Sequence, residues 1–128
     1  MITDTTLNAA FIGCGAIAQK KHLPLSFEDP SIHIKALFDV NRDAAQRCRR
    51  EFGADDTLLA DSAEDIFLRT DIDLVFISTP NNTHAAYSIA ALNSGKHVVC
   101  EKPMAISAAD AQEMLDASRR NARYLHIS

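Results

Sequence analysis

Leu7-Asn8-Ala9-Ala10-Phe11-Ile12, followed without a break by Gly13-Cys14-Gly15-Ala16-Ile17-Ala18, decides the fold of this 128-residue chain. The first half is mostly apolar on consecutive residues, as in a buried strand. The second half is a G-x-G-x-x-A loop that opens a helix. Each small residue has its own task. Gly13 allows the tight turn, Gly15 leaves no side chain between the backbone and an approaching pyrophosphate, and Ala18 lets helix and strand pack closely. Free N–H groups of the loop, from Gly13 and Cys14 through Ala16 and Ile17, then face the phosphates, and the helix dipole adds roughly 0.3 to 2 kcal/mol of attraction. The chain has only four glycines. The other two, Gly53 and Gly95, fall at helix ends, so the pair in this loop carries more weight than a bare motif match. A glycine-eased structural turn is the competing reading.

Outward from the loop, short apolar runs alternate with helix-like segments, with no proline-rich linker or internal repeat. Ile32 to Phe38 reads as a second strand, Thr57 to Ala60 as a weak third and Leu74 to Ser78 as a fourth. Lys96 to Cys100 and Tyr124 to Ile127 complete six. Runs such as Leu74-Val75-Phe76-Ile77 suit strands covered on both faces, hence parallel pairing. The helix Arg42 to Phe52 stops at Gly53 and the one from about Thr83 stops at Gly95, both glycines expected in left-handed caps. Ser107 and Asp110 form an S-x-x-D capping pattern, and Ala111, Met114 and Leu115 follow as a core stripe. Pro24 interrupts the first helix and predicts a kink or early end. The expected architecture is an α/β doubly wound parallel sheet, the Rossmann fold, in the order 3-2-1-4-5-6, with residues 1–128 as one dinucleotide-binding domain.

Composition narrows the partners. With 13 Lys+Arg against 17 Asp+Glu the formal charge is −4, which lacks the basic stripe that nucleic-acid backbones require. Lys20-Lys21 and Arg47, Arg49 and Arg50 read as solvated helix faces. The apolar runs are far too short to cross a bilayer and the N-terminus lacks a signal-peptide layout, so a cytoplasmic protein is expected. Cys14, Cys48 and Cys100 have no CxxC pairing and read as reduced thiols, with neither a disulfide framework nor a metal site.

Asp39 ends the second strand about twenty residues after the glycine loop, where a carboxylate accepts the hydroxyls of an adenosine ribose. Next to it stands Val40. Such an Asp favours NAD, because the 2′-phosphate of NADP would meet its charge unless a cation such as Arg42 intervened. NADP therefore stays open. Arg42 as an adenine-stacking or merely solvated residue, and Asp39 as a turn residue, stay open too. The loops after the fourth and fifth strands, Ser78-Thr79-Pro80-Asn81-Asn82-Thr83-His84 and Glu101-Lys102-Pro103, should flank the remainder of the coenzyme. Asn82 is expected to cap the next helix and His84 to lie in its first turn, with a structural or a catalytic role. Lys102 suits a hydrogen bond to the coenzyme or a substrate hydroxyl, with Glu101 holding it in place; a surface ion pair is the alternative.

Taken together, G-C-G-A-I-A at 13–18, F-D-V-N-R at 38–42, S-T-P-N-N-T-H at 78–84 and above all G-K-H-V-V-C-E-K-P at 95–103 resemble the Gfo/Idh/MocA family of NAD(P)-dependent oxidoreductases. The resemblance runs from Leu7 to the end. It implies hydride transfer between the nicotinamide and a sugar, polyol or related hydroxyl compound, with Lys102 as the E-K-P lysine at the nicotinamide ribose or reacting hydroxyl. It also implies a further α+β domain that binds substrate, mediates oligomerisation and supplies the proton-transfer His and Asp. His22, His33 and His97 do not fall at crevice loops and His126 belongs to the last strand, so the chain is expected to be a truncated, catalytically incomplete coenzyme-binding half. Its uncovered face would then be prone to self-association. A stand-alone NAD(P) sensor or subunit-interaction module is the alternative, and a binder of another adenine nucleotide a weaker one.

Overall fold

The computed structural model describes residues 6–128. Residues 1–5, on which the reading for a signal peptide partly falls, lie outside the described residues. Strand β1 (Leu7–Ile12) occupies the centre of the sheet, pairing in parallel with β2 (Ile32–Phe38) on one side and β4 (Leu74–Ile77) on the other. The short β3 (Leu58–Leu59) borders β2, while β5 (His97–Cys100) and β6 (Leu125–Ile127) extend the sheet beyond β4. The order is β3-β2-β1-β4-β5-β6, as expected from the sequence.

Both faces of the sheet are covered, which is why its strands are apolar on consecutive residues. In β1, Ala10 and Ile12 pack with Ile77, Leu92, Val98 and Met114. Ala9 and Phe11 point the other way, towards Leu23, Leu37 and Cys48. Phe11 and Phe76 are register partners with rings stacked at 4.5 Å. The helices divide accordingly. α1 (Leu23–Glu28) and α2 (Arg42–Phe52) cover one face; α3 (Ala63–Leu68), α4 (His84–Asn93) and α5 (Ala108–Asn121) cover the other.

Local departures from expectation have local causes. Before α1, the helix opened by the glycine loop widens into a π turn over Ala18–His22, then runs on to Glu28 with Pro24 in the first turn of α1. The irregularity thus falls in the turn just before Pro24, and the expected early end does not occur. Gly95 has the expected positive φ of 85°. Gly53 does not: it is extended, and a Cβ there would lie 2.6 Å from the Arg49 carbonyl oxygen, so close approach and not handedness demands glycine. Asn82 caps no helix. A 3₁₀ turn over Asn81–Thr83 comes first, built by the Thr83 N–H and hydroxyl donating to the Pro80 carbonyl, and α4 starts one residue later. Ser107 does cap α5, accepting from the Asp110 N–H at 3.1 Å. Of the predicted stripe, Met114 is fully buried but Leu115 is 39% exposed, and Ala117 takes the inward position. Among the described residues no helix is long and apolar enough to cross a membrane.

Candidate functional site

The parallel ladder continues past the strand ends and sets the crevice. Gly13 N–H donates to the Phe38 carbonyl at 2.8 Å and Ser78 N–H to that of Ile12 at 2.9 Å. Gly13 has φ 99°, and a Cβ there would overlap the Ser78 carbonyl oxygen. Glycine is therefore required by conformation and by space together. Gly15 is the reverse case: a Cβ would meet nothing within 4 Å, because it would project into the open crevice. Gly15, Ala16 and Ile17 are exposed. Their N–H groups bond to no other segment among the described residues, and the first turn of a helix has no internal acceptor for them.

Asp39 holds this loop from the end of β2. Its Oδ2 accepts from the Cys14 N–H at 2.7 Å and its Oδ1 from the Asn41 N–H at 2.8 Å. Each oxygen keeps a further lone pair. The Cys14 side chain is buried beside Cys48, and burial first, then the neighbouring Cys48 and Asp39, push its thiol well above the ordinary range. Cys14 thus offers only its main chain. All three cysteines are free and buried.

A cleft of about 400 Å³ opens between the ends of β1, β2 and β4. Of the residues singled out from sequence, Gly13, Gly15, Asp39, Val40, Ser78, Thr79 and Pro80 line it; Thr83 of the loop expected to flank the coenzyme and Phe38 of the F-D-V-N-R segment join them, and Tyr87 does so unannounced. Tyr87 follows His84 by about one helical turn. The Ser78 hydroxyl is buried at the cleft without a hydrogen-bond partner among the described residues. An orphaned donor, bare backbone N–H groups and a half-satisfied carboxylate around one cleft fit a dinucleotide carrying a diphosphate and ribose hydroxyls. Cys14, Ala16, Ile17, Arg42, Asn81, His84, Glu101 and Lys102 stand outside the cleft walls. Among the described residues no group of three His, Cys, Asp or Glu side chains is placed to hold a metal ion.

Beyond the cleft lies the Glu101-Lys102-Pro103 segment. Glu101 N–H donates to the Ile77 carbonyl at 3.0 Å and Lys102 N–H to that of Ser128 at 3.1 Å, and the chain bends from Lys102 onward. Glu101 does not hold Lys102. Its Oε2 lies 2.8 Å from Nε2 of His22, a side chain only 6% exposed, while Lys102 points to solvent. His22, expected away from the crevice loops, therefore anchors one of them. His84 is buried, with Nδ1 2.7 Å from the Pro103 carbonyl and Nε2 2.8 Å from that of Thr79, which is the structural alternative of the two envisaged. Arg42 is engaged by Asp61 at 2.8 Å. Asn81 opens the 3₁₀ turn, exposed.

A doubly wound parallel sheet with a bare glycine loop at its switch point and a carboxylate at the end of β2 defines a dinucleotide-binding domain. The chain belongs to the Gfo/Idh/MocA family, described as an oxidoreductase family with an NAD-binding Rossmann fold, which matches residues 7–128. It is similar to inositol 2-dehydrogenase of Gluconacetobacter diazotrophicus, 38% identical over 94% of this chain and 35% of the relative. It is also similar to D-glucoside 3-dehydrogenase of Escherichia coli, 30% identical over 97% of this chain and 35% of the relative. Among solved structures, a 3-ketoreductase from Actinomadura kijaniata in complex with TDP-benzene and NADP superposes with a TM-score of 0.86 at 27% identity, over 96% of this chain and 38% of that one. The chain thus spans about 35% of the length of the curated relatives it matches. The family is described as NAD-binding, and the Actinomadura kijaniata structure holds NADP.

Proposed function

We propose that this chain is the coenzyme-binding part of an oxidoreductase that moves hydride between a nicotinamide ring and a sugar, polyol or related hydroxyl compound. The observation that carries the reading is a cleft lined by Gly13, Gly15 and Asp39, with the exposed N–H groups of Gly15, Ala16 and Ile17 opening the helix that starts there. These N–H groups bind the diphosphate, and the free lone pairs of Asp39 accept from the adenosine ribose. The Ser78 hydroxyl donates to the same ligand. Val40 and Pro80 supply apolar walls, and Thr79 borders them. Asp39 turns a negative charge towards a 2′-phosphate, and Arg42, in an exposed pair with Asp61, is the cation within its own loop, so the Asp39 carboxylate favours NAD over NADP.

The nicotinamide, when bound, supplies the site of hydride transfer. Lys102 contacts the nicotinamide ribose or the reacting hydroxyl and stabilises the charge that develops there. Substrate must be held at near-attack distance, and we place that task in the length of the relatives that this chain does not match. Titration with NADH and NADPH beside an activity panel of polyols and sugars tests the reading. Tighter binding of NADH with little turnover is expected. Absence of binding to either coenzyme overturns the reading, and robust turnover by these 128 residues overturns the incompleteness.

A further inference from the structure

We infer that His22 and His84 are positioning residues for Lys102, gripping the Glu101-Lys102-Pro103 segment from opposite faces of the sheet. The inference rests on the coenzyme-binding reading above and assigns a task to two buried histidines which that reading leaves unused.

The geometry is bilateral. His22 belongs to the π turn on the α1–α2 face, where its ring also lies 5.4 Å from that of Phe76. From there Nε2 reaches the Glu101 carboxylate at 2.8 Å. His84 opens α4 on the opposite face, and its Nδ1 reaches the Pro103 carbonyl at 2.7 Å. The residues on either side of Lys102 are therefore each tied to a histidine that is almost wholly buried, 6% exposed at 22 and 1% at 84. Lys102 itself is exposed and makes no side-chain hydrogen bond or ion pair with another described residue. A lysine has about 2 kcal/mol of rotamer entropy and a freely moving stem. What fixes the place of its ammonium group is the backbone it springs from, and that backbone is held at both shoulders.

The sequence distance makes the arrangement informative. His22 and Glu101 are separated by 79 positions, and a buried imidazole facing a carboxylate across that gap is costly to keep unless both groups are satisfied. The other ring nitrogen, Nε2, lies 2.8 Å from the Thr79 carbonyl, so the ring sits between the loop after β4 and the loop after β5, and a single N–H serves one of the two carbonyls at a time. The two loops that flank the nicotinamide half of the coenzyme are thereby one unit.

The two ring nitrogens give opposite expectations for amide replacements. A glutamine amide overlays imidazole Nε2 and an asparagine amide overlays Nδ1. At position 22 the useful atom is Nε2, so His22→Gln keeps the grip and His22→Asn loses it. At position 84 the atom facing Pro103 is Nδ1, so His84→Asn keeps it and His84→Gln loses it. The readout is the dissociation constant of NADH set against that of ADP, which carries the diphosphate but neither the nicotinamide nor its ribose. His22→Asn and His84→Gln should weaken NADH about tenfold and leave ADP within about twofold, while His22→Gln stays near the parent chain for both and His84→Asn, which gives up only the Thr79 contact, weakens NADH less than His84→Gln does.

A double-mutant cycle completes the test: in a Lys102→Ala background, His22→Asn should cause no further loss of NADH affinity, because the histidine acts through the lysine. Equal loss of NADH and ADP affinity would mean a general folding role and overturn the inference, as would full additivity with Lys102→Ala. If a variant does not fold, the remaining position decides, since each carries its own conservative and disruptive amide. Failure of the parent chain to bind NADH would instead refute the coenzyme-binding reading.

Discussion

Alanine at Gly13 and alanine at Gly15 should fail in different ways. At Gly13 the backbone sits at φ 99° and the new methyl would overlap the Ser78 carbonyl oxygen, a rigid main-chain atom of β4's end. The conformational penalty is about 1–2 kcal/mol and overpacking adds about 1–3 kcal/mol. Gly13→Ala should therefore lower stability by about 2–5 kcal/mol. At this chain length each kcal/mol is worth about 4 °C in Tm, so a fall of about 8–20 °C is expected. At Gly15 the methyl meets no protein atom within 4 Å and φ is not positive, so Tm should stay within about 2 °C. The same methyl enters the space assigned to the diphosphate and should weaken NADH at least about tenfold, roughly 1.4 kcal/mol. Thermal unfolding by circular dichroism and titration of NADH fluorescence read the two effects separately. A Gly15→Ala chain that binds NADH like the parent would refute the placement of the diphosphate. A Gly13→Ala chain as stable as the parent would refute the close approach of β1 and β4.

Asp39→Ala should weaken NADH while NADPH is unchanged or improved, and should also cost about 1–3 kcal/mol of stability because the Cys14 N–H loses its acceptor; binding titrations and urea unfolding report the two losses. Ala122 ends α5 in the left-handed region at φ 50°, so Ala122→Gly should stabilise by about 0.5–1 kcal/mol, seen as a Tm rise of about 2–4 °C. Hydrogen bonds from Arg69, opposed in part by burial, hold the Asp71 carboxyl below its usual range. A depressed carboxyl contributes stability above the ordinary value of 3.8 and loses it as pH falls through the lower folded value. Urea midpoints between pH 6 and pH 3 should therefore drop less steeply for Asp71→Asn than for the parent, by a small margin because the pair is largely exposed.

The sheet was legible because its signal is local and repeated. Leu74-Val75-Phe76-Ile77 and the run ending in Ile12 are apolar on both parities, a pattern that few arrangements besides a doubly covered parallel strand satisfy. Gly13, Gly15 and Asp39 were legible for a related reason: a turn, a bare surface and a carboxylate are needed at fixed chain offsets from one strand. What escaped depends on contacts the chain makes with distant parts of itself. The His22 to Glu101 hydrogen bond spans 79 positions, and nothing in either neighbourhood announces the other. The 3₁₀ turn at Asn81–Thr83 arises from Thr83 finding the Pro80 carbonyl, which puts Asn82 inside this turn and not at the cap of the helix that follows. Gly53 was rightly placed at a helix end, but the requirement there is room beside the Arg49 carbonyl, a demand visible only once the backbone is traced.

The most direct measurement is a ¹⁵N–¹H correlation spectrum of the chain recorded through a titration with NAD⁺. The account predicts that the amides of Gly15, Ala16 and Ile17 shift most on saturation, with those of Cys14 and Asn41 following through Asp39. Saturable binding that leaves Gly15, Ala16 and Ile17 unmoved would contradict it.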